Sequence, residues 1–406
     1  MSVTERLIRY CKIHTQSDPN QEEQTPSSAR QFDLANLLVQ ELKQIGIDDA
    51  AVDEHCYVYG HLAANTDGNA KTVGFIAHMD TAPDFSGENV QPRIIENFDG
   101  NDIVLNSTRT MKMDDFPWMR EFKGKRLLVA GGDTLLGADD KAGIAAIMAA
   151  LEYLYEHPEV PHGPIAVAFT PDEEIGNGTK CFSLEKFRAD FAYTMDGDAV
   201  SGIADETFNA ASARVAFTGF SIHPGEAKDK MINAGSLACR FHAALPAYMT
   251  PEHTAGREGF IHLTHMSGAT EKAELEYILR DHDSRKLEEK KQLMIKVVDY
   301  MNNLIGRNCV EISFRNSYRN MKSVLEEHPE AVNIADQALK NLGITPVNVP
   351  IRGGTDGANL SFMGLPCPNL GCGGGNFHGP YEYCVLDELE QSVQVILEII
   401  RLTKEA

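Results

Sequence analysis

Two adjacent glutamates, Glu173 and Glu174, follow an apolar run that is typical of a buried strand, residues 164–170. A carboxylate pair at the end of a strand does not belong in a core, and neighbouring side chains point in different directions. One carboxylate is therefore able to bind a metal ion while the other transfers protons. Taken alone, this acidic run also fits a solvated loop, so the interpretation depends on ligands elsewhere in the chain.

Four other segments place histidine or aspartate after a predicted strand, before a predicted helix or in a glycine-rich stretch. Ligand sites of open α/β sheets lie beyond the carboxyl ends of the strands, so we expect these side chains to share one crevice. Each segment alone has a simpler explanation, such as a structural histidine, a helix cap or a turn. Together they favour a common site. The residues are His78 and Asp80, Asp139 and Asp140, Asp196 and Asp198, and His378.

Mixed histidine and carboxylate ligands suit zinc better than calcium or magnesium. Two histidines and several carboxylates are enough for two metal ions that share a bridging carboxylate. Such a pair, about 3.5–4 Å apart, activates a water and polarises a carbonyl. A free glutamate then takes the proton of the water and passes it to a leaving amine. The chain has neither an H-E-x-x-H nor a G-x-S-x-G motif, and its glycines near residue 373 miss the G-x-G-x-x-G spacing.

The elements that must position these residues alternate between strand and helix in the first half of the chain. This alternation predicts an α/β domain with a mostly parallel sheet. The predicted helices are 28–46 and 143–155, and the predicted strands are 72–77, 126–130, 165–170 and 191–195.

The pattern changes near residue 208 and returns to α/β character after residue 318. With 406 residues, the chain is too long for one compact core. We therefore predict a discontinuous catalytic domain, 1–207 and 318–406, that holds an inserted α+β open-faced sandwich, 208–317. The inserted part has predicted strands at 212–218, 259–266, 273–280 and 309–314 and helices at 231–244 and 283–301, and later helices are predicted at 329–342 and 386–404.

Composition excludes several classes of partner. The 37 basic and 59 acidic residues give a net charge of −22, which opposes binding to nucleic acid and to anionic membranes. No apolar stretch resembles a signal sequence or approaches the roughly 20 residues that span a bilayer. Eight scattered cysteines without a C-x-x-C pair predict a reducing compartment, and hence a cytoplasmic protein.

Over nearly its whole length the chain resembles the M20 metallopeptidases. The motifs that carry the resemblance are TQS at 15–17, HMDTAPD, LLGADDKAGI, VAFTPDEE, FNAAS at 208–212, HPG at 223–225, IRGGTDGA at 351–358 and NFHG at 376–379. The resemblance implies a zinc-peptidase-like catalytic domain with two Zn²⁺ ions per subunit. It also implies an aminopeptidase that releases the N-terminal residue from tripeptides by attack of a zinc-bound water.

The resemblance also assigns roles to individual residues. Glu173 is the implied general base, and Asp80 is an acid that fixes the imidazole of His78. A cis peptide is implied between Asp139 and Asp140. The implied metal ligands are His78 and Asp196 for one zinc, Glu174 and His378 for the other, and Asp139 as the bridge.

By the same resemblance the inserted domain is a lid that contributes to substrate binding. His223 is then expected to steady the oxyanion, and Arg280 and Arg352 to bind the carboxylate or backbone of the substrate. Two simpler alternatives stay open. Arg280 also fits an ion pair with a neighbouring aspartate, and His223 also fits a turn-forming role before Pro224.

Substrate choice and assembly are less constrained than the chemistry. The same metal site also suits a dipeptidase, a carboxypeptidase or an amidohydrolase of N-acyl amino acids. A metal-loaded binding protein is disfavoured, because a non-ligand glutamate beside the metals has little use without turnover. Homodimerisation through the inserted domain is possible. Asp198 and Cys372 depart from the residues that the family often has there, glycine and threonine, which affects expectations of specificity rather than of metal binding.

Overall fold

The computed structural model describes residues 1–66, 68 and 70–405, and the chain divides into two compact units. The first unit comprises Met1–Asp205, Ser323–Val349 and Thr355–Ala406, and the second comprises Glu206–Lys322 and Pro350–Gly354. The predicted borders, 207/208 and 317/318, therefore differ by a few residues from those of the compact units. The segment 350–354, which we had predicted in the catalytic domain, joins the second unit, where Ile351 pairs with Thr207 in a parallel bridge.

The six predicted helices are observed with ends that shift by a few residues. Among the described residues, the α-helices α1 to α10 are, in chain order, Val3–Cys11, Gln31–Gln44, Ala138–Glu156, Leu184–Phe187, Ala234–Ala244, Ser284–Ile305, Lys322–Glu327, Glu330–Asn341, Asp356–Met363 and Leu386–Glu405. Four of these helices, α1, α4, α7 and α9, were not predicted.

The strands include several short ones that the sequence did not predict. In the described part of the chain, β1 to β18 are, in order, Ala51–Val52, Val58–Leu62, Val73–His78, Arg93–Ile95, Ile103–Val104, Thr110–Met111, Leu127–Val129, Ile165–Thr170, Phe191–Gly197, Gly202–Ala204, Asn209–Thr218, Phe260–Gly268, Lys272–Asp281, Val310–Asn316, Val347–Asn348, Asn369–Gly371, Gly374–Gly375 and Tyr383–Val385.

The first unit is built on an eight-stranded sheet with the order β1-β2-β8-β3-β9-β16-β10-β15. Its centre is parallel, because β3 pairs in parallel with both β8 and β9, and β9 pairs in parallel with β16. Every residue of β3 and β8 is buried, as expected for strands covered on both faces. The predicted α/β class with a mostly parallel sheet is confirmed.

Helix α3 lies close against the central sheet, and a glycine permits this contact. A Cβ atom on Gly143 would lie 2.2 Å from the carbonyl oxygen of Met195 in β9, so no larger residue fits there without displacing the helix. The same core contains apolar residues of α1 and α10, such as Leu7 and Ile396. The start of α3 is therefore fixed relative to the carboxyl ends of the strands.

The second unit is a four-stranded antiparallel sheet with the order β12-β13-β11-β14. Along β11, buried residues such as Val215 and Phe217 alternate with exposed ones such as Arg214. The buried face packs with α5 and α6, which contribute Phe241 and Met294 to one apolar cluster. This is the predicted open-faced α+β sandwich. Within the described residues, every helix is too short or too polar to span a lipid bilayer.

A buried ion pair in the second unit gives a first prediction. Lys290 of α6 contacts Asp281 at the end of β13, and their side chains are 9% and 3% exposed. In Lys290→Met the Asp281 carboxylate would lose its charged partner while staying buried, so we expect the free energy of unfolding to fall by about 3–5 kcal/mol. Urea unfolding followed by circular dichroism measures this change. The matched control is Lys296→Met, on the exposed side of the same helix; equal shifts in the two variants would contradict the prediction.

Candidate active site

Three neighbouring strands carry the predicted ligands to one edge of the central sheet. His78 is the last residue of β3, and Asp196 lies near the end of β9. Glu173 and Glu174 form a short 3-10 turn directly after β8. Because β8, β3 and β9 are adjacent and parallel, their carboxyl ends meet at the same edge. Motifs that are far apart in the chain therefore lie close together in the structure.

Asp139 lies between the two predicted histidine ligands. Its Oδ1 is 2.8 Å from Nε2 of His78, and its Oδ2 is 3.4 Å from Nε2 of His378. The peptide bond between Asp139 and Asp140 is cis, as the family resemblance implied. Each oxygen of this carboxylate therefore faces a different imidazole.

His78 is oriented by Asp80. Nδ1 of His78 is 3.1 Å from the carbonyl oxygen and 3.3 Å from Oδ1 of Asp80, so this nitrogen carries the proton. Its Nε2 then faces Asp139 and lies 3.7 Å from Oδ1 of Asp196. Orientation of a ligating imidazole through its other nitrogen is the usual arrangement around protein-bound metal ions.

Asp80 has a second task that the sequence did not reveal. Its Oδ1 accepts a hydrogen bond from the backbone N–H of Glu173 at 3.0 Å, and its Oδ2 accepts one from that of Glu174 at 3.2 Å. The carboxylate is fully buried. Asp80 therefore fixes the turn that carries both glutamates as well as the ring of His78.

Glu174 and His378 form the other half of the cluster. Oε2 of Glu174 is 3.0 Å from Nε2 of His378. Oε1 of Glu174 is buried and has no hydrogen-bond partner among the described residues. An unsatisfied buried carboxylate oxygen is costly, and a cation at this position would satisfy it. This oxygen, together with the mixed imidazole and carboxylate donors, fits a bound divalent metal ion.

Glu173 is placed differently from its neighbour. Two groups of residues in the described part of the chain bring metal-ligating atoms within 4.8 Å of one another, and Glu173 belongs to neither. The groups are His78, Asp139 and Glu174, and His78, Asp140 and Asp196. The predicted ligand His378 also lies outside both groups, but unlike Glu173 it contacts Asp139 and Glu174 directly. Burial, followed by the nearby negative charge of Asp196, raises the pKa of Glu173 well above its ordinary value. A half-buried glutamate outside the ligand groups is suited to proton transfer.

The charges of the cluster are strongly coupled. Burial raises the pKa of Asp196 to about 6 and that of Glu174 to about 8, with the charge of Asp139 as the next cause. Hydrogen bonds with Asp139 and Glu174 raise the pKa of His378 to about 11. Burial would raise the pKa of Asp139, but hydrogen bonds from His378 and His78 outweigh it and lower that pKa. A divalent cation would stabilise carboxylates that are crowded in this way, because its charge offsets their mutual repulsion.

Asp140 is a functional candidate that the predicted ligand set omitted. Its Oδ2 accepts a hydrogen bond from the backbone N–H of His78, and its Oδ1 accepts one from Gly143, both at 3.2 Å. Asp140 therefore caps the regular part of α3, which was the simpler explanation considered for the aspartate pair. The pair of adjacent aspartates was the sequence signal from which Asp140 could have been identified.

The three predicted substrate-binding residues belong to the second unit. His223 is exposed, and its Nδ1 accepts a hydrogen bond from Gly225 N at 3.2 Å in the turn that follows. Nη1 of Arg280 donates to the carbonyl oxygen of Leu279 at 3.0 Å, and its guanidinium lies 5.3 Å from the ring centroid of Tyr318. The alternative ion pair of Arg280 is not observed among the described residues, where Asp281 pairs with Lys290 instead.

Arg352 is held within the second unit by several contacts. Its Nη1 donates to the carbonyl oxygens of Gly256 at 2.8 Å and Glu258 at 2.7 Å. The guanidinium also lies 5.2 Å from the ring centroid of Phe208 and 5.7 Å from that of Phe260. These contacts stabilise the loop at 254–258.

Two buried acids near the glutamate turn were not predicted. Asp172 accepts hydrogen bonds from the backbone and hydroxyl of Ser27 and from Gln31, each at 2.6 Å. Asp356 accepts one from the hydroxyl of Thr170 at 2.9 Å. Both stand inside the quoted motifs TPDEE and GGTDG, but their contacts come from distant segments. Both act on the segment between the end of β8 and the glutamate turn, since Thr170 and Asp172 precede Glu173.

Of the two departures from the family pattern, Cys372 is buried and its thiol donates to the carbonyl oxygen of Met195 at 3.0 Å, which fits a small packing residue. Asp198 directly follows β9 and is exposed.

Comparison with known proteins places these features in a family. The model of peptidase family M20/M25/M40 matches residues 114–402. The chain is 49% identical over 405 residues to Peptidase T of Alkaliphilus oremlandii, covering 99% of each chain. It is 50% identical over 405 residues to Peptidase T of Bacillus velezensis, covering 99% of this chain and 98% of the other.

Solved structures share the fold at lower identity. Aminopeptidase PepT of Bacillus cereus has a TM-score of 0.77 at 21% identity, covering 99% of this chain and 98% of its own. A tripeptidase of Staphylococcus aureus has a TM-score of 0.77 at 20% identity, covering 100% and 98%. A dinuclear metal-binding M20 peptidase of Bacillus subtilis has a TM-score of 0.67 at 15% identity, covering 100% and 99%.

Proposed function

Because this chain belongs to peptidase family M20/M25/M40, we propose that it is a metal-dependent aminopeptidase that releases the N-terminal residue from tripeptides. The observation that carries the proposal is the position of Asp139 between His78 and His378, with Glu173 beside the cluster but outside the ligand groups. The names of the relatives at about half identity, and of the structures that share the fold, support tripeptides as substrates.

The donor set supports two Zn²⁺ ions per subunit. His78 and Asp196 would hold one, Glu174 and His378 the other, and Asp139 would contact both. When bound, the ions supply Lewis acidity to the peptide carbonyl and to the attacking water. Oε1 of Glu174 supports this assignment, because it has no hydrogen-bond partner in the described part of the chain and would be available to bind an ion.

Proton transfer is assigned to Glu173. As a carboxylate it accepts a proton from the attacking water, and it then donates this proton to the amine of the leaving dipeptide. Burial raises its pKa, which favours the protonated form that returns the proton to the leaving amine. Asp80 keeps Glu173 in place through the backbone hydrogen bond.

The second unit is proposed to supply substrate contacts. Since Nδ1 of His223 accepts from Gly225 N, a neutral imidazole carries its hydrogen on Nε2 and is able to donate to the scissile carbonyl oxygen. Arg280 and Arg352 are proposed to bind the carboxylate or backbone of the peptide, for which the planar guanidinium is suited.

The proposal is tested with a hydrolysis panel of di-, tri- and tetrapeptides, free and N-acetylated, on zinc-reconstituted protein. We expect release of the N-terminal residue from free tripeptides, with dipeptides, tetrapeptides and acetylated peptides hydrolysed much more slowly. Cleavage of acetylated peptides would favour an amidohydrolase, and preference for dipeptides a dipeptidase. Loss of the C-terminal residue would indicate a carboxypeptidase. Light scattering on the same preparation tests whether the protein forms a homodimer.

A further inference from the structure

Glu382 is a buried carboxylate that the proposed mechanism does not use. It follows His378 by four residues, and 1% of its surface is exposed. Its Oε2 accepts hydrogen bonds from the backbone N–H groups of Leu136 at 2.7 Å and Gly137 at 2.8 Å. Its Oε1 accepts one from the backbone N–H of Asp139 at 3.0 Å.

Leu136 and Gly137 lie in the loop that directly precedes α3, and Asp139 lies in the first turn of α3, where the backbone is not yet helical. The first N–H groups of a helix have no intrahelical acceptor, and a negative charge is favourable near them. Gly137 adopts the left-handed conformation, with φ +79°, so the loop turns sharply just before Asp139. A charged acceptor that contacts both sides of this turn fixes the direction in which the Asp139 side chain leaves the backbone.

The carboxylate also connects two ligand segments. His378 and Glu382 lie on one short stretch of chain, while Asp139 lies more than 200 residues earlier. Asp80 does the same for another pair of segments, since it orients His78 and accepts hydrogen bonds from the backbone of Glu173 and Glu174. In both cases a buried carboxylate near one histidine ligand holds the backbone of a carboxylate ligand.

We propose that Glu382 is a positioning residue that sets Asp139 between His78 and His378 before metal binds, so that zinc affinity depends on it. The inference rests on the proposed function, in which Asp139 contacts both ions. Glu382 itself contacts neither substrate nor metal. A carboxylate is required because all three partners are N–H donors, and a neutral amide would turn its NH₂ group toward at least one of them.

The test is the isosteric variant Glu382→Gln. In a competition titration of metal-free protein with Zn²⁺ and a chromophoric chelator, we expect zinc affinity to fall by about 10–100-fold, the usual effect of removing a group that orients a ligand. Hydrolysis of a tripeptide at saturating Zn²⁺ should return to within a few-fold of wild type, because the reacting groups are intact. Unchanged zinc affinity in the variant would overturn the inference.

Glu41→Gln is the matched control. Glu41 is also a buried glutamate of the first unit, but its partners are Arg6, Arg9 and Tyr10 in α1. We expect this variant to lose thermal stability while keeping wild-type zinc affinity. If both variants lost zinc affinity equally, the effect of Glu382→Gln would be one of general destabilisation and the inference would fail.

A measurement on wild type does not depend on whether the variant folds. If Glu382 preorganises the loop, the amides of Leu136, Gly137 and Asp139 should exchange slowly with deuterium in the metal-free protein. Fast exchange that slows only after Zn²⁺ is added would overturn the inference while leaving the proposed function intact. Wild-type protein that binds no Zn²⁺ would instead overturn the proposed function.

Discussion

Replacing Glu173 with glutamine is expected to lower kcat for tripeptide hydrolysis by about 10²–10⁴-fold, the usual contribution of a general acid–base group. Glutamine has the shape of glutamate but cannot take a proton from water or return one to the leaving amine. Because Glu173 belongs to neither group of ligating atoms, the bound zinc should be unchanged. KM should change little, since the interaction that is lost belongs to the transition state.

The neighbouring variant Glu174→Gln gives the matched control. It removes a carboxylate that lies 3.0 Å from His378 and has an unsatisfied buried oxygen, so here we expect zinc affinity to fall. Zinc content by atomic absorption and kcat at saturating zinc separate the two outcomes. A Glu173→Gln protein that binds zinc normally and hydrolyses tripeptides near the wild-type rate would refute the assignment of the general base.

Glu173 and Glu174 also show how much of the site the sequence predicts. The apolar run before them predicts a buried strand, and β8 spans the predicted residues, Ile165–Thr170. The rule that ligand sites lie beyond the carboxyl ends of parallel strands then brings Glu174, His78 and Asp196 together. Each of these steps needs only a strand end and a residue type, both of which are visible in one chain.

The contacts that hold the site were not predictable in the same way. Asp80 and Glu382 accept hydrogen bonds from backbone N–H groups of distant segments. Because every residue except proline has such a group, the residue type of the donor does not reveal the contact. The same limit applies to the segment 350–354. Its pairing with Thr207 spans more than 140 residues and involves a single bridge, so no local sequence pattern predicts it.

Short strands were missed for a related reason. Strand β2, Val58–Leu62, contains a glycine and a histidine and lacks an alternating pattern, yet it pairs with all of Ile165–Phe169 in β8. Strands of two or three residues, such as Gly374–Gly375 near His378, are stabilised by pairing with a neighbouring strand rather than by the β-propensity of their own residues. Long, strongly patterned elements were therefore predicted, and the short strands were found only in the structure.

Replacing Asp139 with asparagine is expected to remove most of the bound metal and most of the activity. Each oxygen of this carboxylate faces one histidine, at 2.8 Å and 3.4 Å, so one substitution affects both ligand pairs. Lewis-acid stabilisation is worth several kcal/mol, so kcat/KM at ordinary zinc concentrations should fall by about 10³-fold or more. Zinc stoichiometry from equilibrium dialysis, measured beside tripeptide hydrolysis, checks both parts.

The comparison with Asp140→Asn makes this result specific. Asp140 is also a carboxylate at the start of α3, but its oxygens accept hydrogen bonds from the amides of His78 and Gly143. Asparagine keeps one acceptor oxygen, so we expect a smaller loss of zinc affinity together with lower thermal stability. The two aspartates form one candidate pair in sequence, and the structure separates them by the direction of their oxygens. Two zinc ions retained in Asp139→Asn but lost in Asp140→Asn would reverse that distinction and assign the bridge to Asp140.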